Sequence, residues 1–166
     1  MSKFNRDIIY VQNITMPDEL LAKLNQEMNE YGLPGVWNLL CFKRRFFFDK
    51  STKVHIDYSA LHGEVHSSIV LPIEGCTDTY MYWMDGDYKA DKKLIPGASY
   101  LGVNWNSPPN VLDSVEIDTE PMITRVDIPH SVTSRKDGSY RTILSIRLQG
   151  NPTFEEILQK RFDNKS

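Results

Sequence analysis

The segment that best indicates the fold is Arg141-Thr142-Ile143-Leu144-Ser145-Ile146-Arg147-Leu148. Successive side chains of a β-strand point to opposite faces. As a strand, this segment places Arg141, Ile143, Ser145 and Arg147 on one face and an apolar set on the other. The arginine face has two interpretations that periodicity does not separate. It meets solvent above a core, or it lines the ligand cavity of a barrel whose apolar outer face is covered by helices.

Strand signals recur through most of the chain. From Val36 onwards, short runs of β-branched and aromatic residues are separated by turn residues such as Asp85-Gly86-Asp87. This pattern predicts a sandwich or barrel. The predicted strands are residues 8–11, 37–42, 45–48, 53–58, 67–73, 79–84, 99–103, 111–117, 122–127 and 141–148.

One helix is predicted near each end of the chain. Thr15 is the expected N-cap of the first, with Asp18 three residues on and Pro17 in the first turn. Thr153 is the expected cap of the second, with Glu156 at the third position. The helices are therefore expected to flank the strands and to cover them.

The length and charge of the chain are those of an ordinary globular domain. Its 166 residues are expected to form one domain, residues 1–166. Lys and Arg total 19 against 22 for Asp and Glu, a formal net charge of −3. With this balance we expect no broad cationic surface to neutralise a phosphate backbone, which argues against a nucleic-acid partner.

The cysteines and the apolar runs indicate a cytoplasmic protein. Cys41 and Cys76 are too few for a disulfide framework and are expected to be reduced. No uninterrupted apolar run approaches the roughly 20 residues of a membrane span. No membrane partner is therefore expected.

A short H-x-D element, His55-Ile56-Asp57, carries the chemistry. On a strand, His55 and Asp57 share one face. His130 follows 73 residues after Asp57, and Arg141 lies eleven residues beyond it. Two imidazoles and one carboxylate are the ligand set of a facial triad for non-haem Fe(II). Taken singly, an H-x-D pair is more often the wet side of a half-exposed strand, and a lone histidine is more often structural.

The ordered set His55-x-Asp57, His130, Arg141 resembles the H-x-D…H…R signature of Fe(II)/2-oxoglutarate-dependent dioxygenases. The segments 71–76 and 128–132 look like small members of that superfamily known from phages and marine microbes. The resemblance covers about residues 53–148. It implies a double-stranded β-helix, the cupin-like jelly roll, with His55, Asp57 and His130 holding iron. It also implies that Arg141 binds the distal carboxylate of 2-oxoglutarate.

The co-substrate pocket departs from the family pattern at Ile143. Many relatives carry a serine there, two residues after the arginine, so Ser145 or a tyrosine phenol must substitute, or the co-substrate is held differently. Arg147, six residues after Arg141, resembles the paired arginines of the nucleic-acid dealkylation branch. We interpret Arg141, Ser145 and Arg147 as co-substrate residues, and which arginine is the main anchor stays open.

The resemblance implies an oxygenase that hydroxylates a small molecule or a protein side chain and releases succinate and carbon dioxide. Two alternatives remain: a cupin-like metalloprotein without 2-oxoglutarate chemistry, and a non-catalytic jelly-roll binding protein. Substrate identity and oligomeric state stay open. We expect the loops 60–65 and 85–97 to determine selectivity.

Three further features are weaker. His62 and His66 lie close to the H-x-D element and are not expected to ligate metal, although they could contact substrate. Lys43-Arg44-Arg45 is a basic patch beside three phenylalanines. Such a run is most often a solvated edge, although at the mouth of a barrel it could hold an anionic substrate.

Overall fold

Two antiparallel β-sheets dominate the computed structural model, which describes residues 9–45, 53–59, 63–95, 98–136 and 138–163. The helices are α1 (Asp18–Glu30) and α2 (Phe154–Asp163). The strands are β1 (Ile9–Asn13), β2 (Val36–Arg45), β3 (His55–Ser59), β4 (Gly63–Glu64), β5 (Ser67–Glu74), β6 (Thr79–Asp85), β7 (Tyr88–Ile95), β8 (Ala98–Trp105), β9 (Asn110–Glu116), β10 (Met122–Arg125), β11 (His130–Ser134) and β12 (Tyr140–Leu148).

The strand order is that of a jelly roll. One sheet runs β1-β2-β12-β5-β10, and the other runs β7-β8-β3-β11-β6-β9 with β4 paired to β3. Neighbours in the sheets are mostly distant in sequence, as when β12 lies between β2 and β5. The expected mainly β, jelly-roll fold with a helix near each end is confirmed.

The inner core lies between the two sheets. Val70 and Ile143 come from the five-stranded sheet, and Met81 and Val132 come from the facing sheet. Apolar contact between the two inner faces is the main force that holds such sheets together. The buried members of this inner core are Val65, Val70, Cys76, Met81, Ile117, Val126, Val132 and Ile143.

A second core lies on the outer face of the five-stranded sheet, under the helices. Met28 of α1 and Ile157 of α2 pack there against Ile146 and Leu148 of β12. Because Ile143 belongs to the inner core and Ile146 to the outer one, the odd-numbered face of β12 is turned inward. The arginine face of β12 therefore lines the interior, and the solvent-facing interpretation is wrong.

The two helix starts have different outcomes. Thr153 caps α2 as expected: its hydroxyl accepts from the Glu156 N–H, and the Glu156 carboxylate accepts from the Thr153 N–H. The Thr15 cap is wrong, because α1 begins at Asp18 with Pro17 at the N-cap and no side-chain cap hydrogen bond. A residue before proline is pushed towards extended backbone, which keeps the helix from starting earlier. Neither helix in the described ranges is long and apolar enough to cross a membrane.

Two strand predictions also change. The predicted selectivity loop 85–97 contains the strand β7, whose charged residues mask its strand character. A charged strand at a sheet edge is a common protection against unwanted pairing, and β7 pairs only with β8 in the described part of the sheet. In addition, β2 runs unbroken through Arg45, while the rest of the predicted strand 45–48 lies outside the described residues. Cys41 and Cys76 are free thiols.

Candidate metal centre

Strand pairing brings the H-x-D element and the second histidine together. β3 and β11 are antiparallel neighbours, and His130 lies directly opposite His55. Asp57 shares the His55 face of β3, whereas Ile56 is buried on the opposite side. The three side chains therefore meet at one place on the seven-stranded sheet, although 73 residues separate Asp57 from His130.

Both histidines make the same kind of Nδ1 hydrogen bond, which fixes the same tautomer in each. His55 Nδ1 lies 2.8 Å from the Lys53 carbonyl, and His130 Nδ1 lies 2.9 Å from the Ile128 carbonyl. A carbonyl oxygen only accepts, so each Nδ1 carries the proton when the ring is neutral. The Nε2 lone pair of each ring is then available to a metal ion, with the backbone carbonyl holding the ring in place.

The donor atoms are spaced for a shared ion. Asp57 Oδ1 lies 3.5 Å from His55 Nε2 and 3.5 Å from His130 Nε2. Two donors that share one ion at about 2.1 Å are about 3 Å apart at a right angle and farther apart at wider angles. Ligand atoms of the three residues all lie within 4.8 Å of one another. The group could hold a metal ion after a small inward movement of the side chains.

Arg147 fixes the third donor. Its Nη2 donates to Asp57 Oδ2 at 2.5 Å, and the two side chains are only 7% and 15% exposed. Because Oδ2 is held by the guanidinium, Oδ1 is the oxygen left facing the histidines. This arrangement favours coordination through one carboxylate oxygen. Arg147 Nη1 is also buried, and it has no hydrogen-bond partner among the residues that the structure describes.

The electrostatics keep these donors in the protonation state that metal binding requires. Burial alone would raise the pKa of Asp57, but the positive charge of Arg147 holds it well below its usual range. Burial and repulsion from His130 lower the pKa of His55 to about 4. At neutral pH Asp57 is therefore an anion and His55 a neutral imidazole, as metal ligands must be.

The predicted co-substrate residues lie on the interior face of β12. Arg141, Ser145 and Arg147 are all buried there, on the same face as Ile143 of the inner core. Arg147 reaches Asp57 and Arg141 lies six residues away along the strand, so the two arginines mark the two ends of this face. Ser145 lies between them.

Cross-strand pairing adds two aromatic residues that sequence reasoning had not assigned to the site, and it places Arg44 of the basic patch beside Arg141. Trp83 is paired with His130, and its Nε1 donates to the Arg125 carbonyl at 2.9 Å. Tyr100 is paired with Asp57, and its ring meets His55 edge-on with centroids 5.5 Å apart. Arg44 is paired with Arg141. Each depends on the register between distant strands, for which a single sequence holds no local signal.

The remaining candidates lie elsewhere. His66 is near Asp127, with Nδ1 to Oδ2 at 3.5 Å, and does not join the group of three ligands. His62 lies outside the described residues. The basic patch is divided between two faces: Lys43 and Arg45 are exposed, whereas Arg44 is buried. The patch as a whole is therefore not a solvated edge.

The fold has similar members among solved structures. No protein-family model and no curated protein matches the chain. A prolyl-4-hydroxylase from Pseudomonas putida is similar in structure, with a TM-score of 0.43 and 15% sequence identity. The match covers 87% of this chain and 74% of the hydroxylase. At this level the likeness concerns the overall fold alone.

Proposed function

We propose that this protein is an Fe(II)- and 2-oxoglutarate-dependent oxygenase that hydroxylates a small molecule or a protein side chain. The observation that carries the proposal is the meeting of His55, Asp57 and His130 with both Nε2 atoms directed at Asp57 Oδ1. Two imidazoles and one carboxylate suit Fe(II) and leave half of an octahedral ion open to other ligands.

The residues present fit the metal. The Nδ1 hydrogen bonds fix both rings, and Arg147 orients the carboxylate, so little reorganisation is needed on binding. When bound, Fe(II) and 2-oxoglutarate would couple O2 to oxidative decarboxylation, giving succinate, carbon dioxide and one oxygen atom for a substrate C–H bond. The protein supplies position, charge and exclusion of water.

The interior face of β12 fits the co-substrate. A buried guanidinium nitrogen without a partner among the described residues, Arg147 Nη1, is a donor suited to a carboxylate beside the metal. Arg141 supplies a buried positive charge for a carboxylate at the far end of the same molecule. A 2-oxo diacid therefore meets a cation at each end.

Substrate must approach from the side of the metal that the three ligands leave open. Tyr100 and Trp83 lie beside His55 and His130 and offer aromatic surface. The net charge of −3 favours a small molecule or a protein side chain over a nucleic acid.

The test is succinate formation with matched histidine variants. Purified protein is incubated with Fe(II), 2-oxoglutarate and O2, and succinate is measured with amino acids, peptides and a methylated oligonucleotide as stimulants. We expect release by the wild type, stimulated by an amino acid or peptide. His55→Ala should abolish it, whereas His66→Ala, which alters a histidine outside the metal group, should keep it.

Metal binding is measured separately by thermal unfolding with Mn(II), with and without 2-oxoglutarate, because a ligand that binds only the folded state raises stability. Stabilisation by Mn(II) without any added effect of 2-oxoglutarate would favour the cupin-like alternative. Indifference to both would favour a binding protein. If His66→Ala abolished succinate formation as completely as His55→Ala, the assignment of the metal ligands would be contradicted.

A further inference from the structure

Arg44 occupies an unusual position within the basic patch. It is 5% exposed, whereas its neighbours Lys43 and Arg45 are exposed on the other face of β2 and lie near the Tyr140 ring. Because successive side chains of a strand point to opposite faces, Arg44 is turned inward when Lys43 and Arg45 face outward.

The inward position of Arg44 places it beside Arg141. The two residues are direct partners in the antiparallel register of β2 and β12, and Arg141 is 6% exposed. Directly opposed residues have Cβ atoms about 5 Å apart on the same face of a sheet. Burial lowers the pKa of Arg141 to about 10, Cys76 opposes that shift, and the positive charge of Arg44 adds to it. Like charges are therefore placed close together in the interior.

The apolar surroundings strengthen the attraction of these two charges for an anion. The next inward-facing pair along the two strands is Phe42 and Ile143; Ile143 belongs to the inner core, and Phe42 packs against it. In such an apolar environment an anion near both guanidiniums is attracted more strongly than it would be in water. An anion between them would also reduce the mutual repulsion of the two arginines.

The pair also lies within reach of the metal centre. Arg141 and Arg147 are six residues apart on β12, about 20 Å between Cα atoms at about 3.3 Å per residue. Arg147 directs its guanidinium to Asp57. A separation of about 20 Å is long enough for two arginine side chains with a short diacid between them.

We propose that Arg44 and Arg141 together form a two-guanidinium site for the remote carboxylate of the co-substrate, with Arg44 as a specificity-determining residue. This inference rests on the proposed function and deepens it. Two guanidiniums replace the serine that relatives carry at the position of Ile143. The site should therefore select 2-oxo diacids and reject 2-oxo acids that lack a second carboxylate.

The test measures binding rather than turnover. Affinities of the Mn(II)-loaded protein for 2-oxoglutarate, for 2-oxobutyrate and for glutarate, which lacks the oxo group, are measured by calorimetry. Arg44→Gln should weaken 2-oxoglutarate and glutarate about tenfold to a hundredfold, the range for one charge-assisted interaction, and leave 2-oxobutyrate unchanged. Lys43→Gln and Arg45→Gln are the matched controls and should bind all three as the wild type does.

The outcomes separate this inference from the proposed function. Unchanged glutarate and 2-oxoglutarate affinity in Arg44→Gln would overturn the role of Arg44, as would equal losses in the Lys43 and Arg45 variants. Should Arg44→Gln not fold, Arg44→Lys keeps the charge and loses the two-pronged contact, and wild-type affinity in it would overturn the inference too. A wild type that binds both diacids through Arg44 yet never forms succinate supports the anion site and contradicts the oxygenase.

Discussion

Replacing Arg147 by methionine should destabilise the protein strongly. The Arg147–Asp57 pair is 2.5 Å long and nearly buried, and methionine keeps an apolar stem while removing the charge. Asp57 would then be a buried carboxylate facing two imidazoles without its cation. Removing one partner of a buried pair typically costs about 3 to 5 kcal/mol, and part of that cost returns if the carboxyl takes up a proton. We expect the free energy of unfolding to fall by about 3 kcal/mol at pH 7.

Urea unfolding of the metal-free protein measures this loss, with an unchanged denaturant slope as the sign that only stability has changed. The double variant Arg147→Met, Asp57→Leu is the control for a stranded charge. Because an apolar pair often replaces a buried ion pair at little cost, it should recover most of the loss. A loss below about 1 kcal/mol in the single variant, the range of an exposed pair, would refute the reasoning. Failure of the double variant to recover would do so too.

Two further predictions concern pH and helix capping. The pKa of His55 is about 4 in the folded state and 6.5 in the unfolded chain. As the pH falls, the unfolded state therefore takes up the proton first. The free energy of unfolding of the metal-free protein should therefore fall as the pH drops from 6.5 to 4, and His55 should account for on the order of 3 kcal/mol of this fall. His55→Gln should reduce the fall. If urea unfolding at several pH values showed the same pH dependence in the wild type and in this variant, the prediction would be contradicted. Asp57 does not contribute to this pH dependence. Its pKa is lowered in the folded state from 3.8, so the stability that it adds is fully present above pH 3.8 and is lost only below it. Thr153→Ala should lower the free energy of unfolding by about 1 kcal/mol, because the contact with Glu156 is lost. Thr15→Ala should change it little, because Thr15 does not cap α1. Equal shifts of the urea midpoint in the two variants would rule out the capping assignment.

Local patterns predicted the parts of the fold and site that depend on neighbours in sequence. Alternation placed His55 and Asp57 on the same face of β3, and it placed Arg141 and Arg147 on the same face of β12. The capping residues of α2 were correct for the same reason, because a capping box is complete within four residues. The position of His130 came from the order of a family motif.

Contacts between distant strands were beyond the sequence. The Arg147–Asp57 ion pair joins positions 90 residues apart, and the pairing of Arg44 with Arg141 depends on the register of β2 against β12. Alternation alone also could not decide whether the arginine face of β12 points inward, since both answers fit one pattern. Only the division of Ile143 and Ile146 between two cores decides it.

The most direct test of the account is the location of a bound metal. Crystals grown with Mn(II) and 2-oxoglutarate without oxygen allow the ion to be placed by anomalous diffraction. The account predicts one strong peak about 2.0 to 2.2 Å from the Nε2 atoms of His55 and His130 and from Asp57 Oδ1, with Arg147 still bound to Oδ2. A protein that takes up Mn(II) elsewhere, or shows no peak between these three residues, would contradict the central claim.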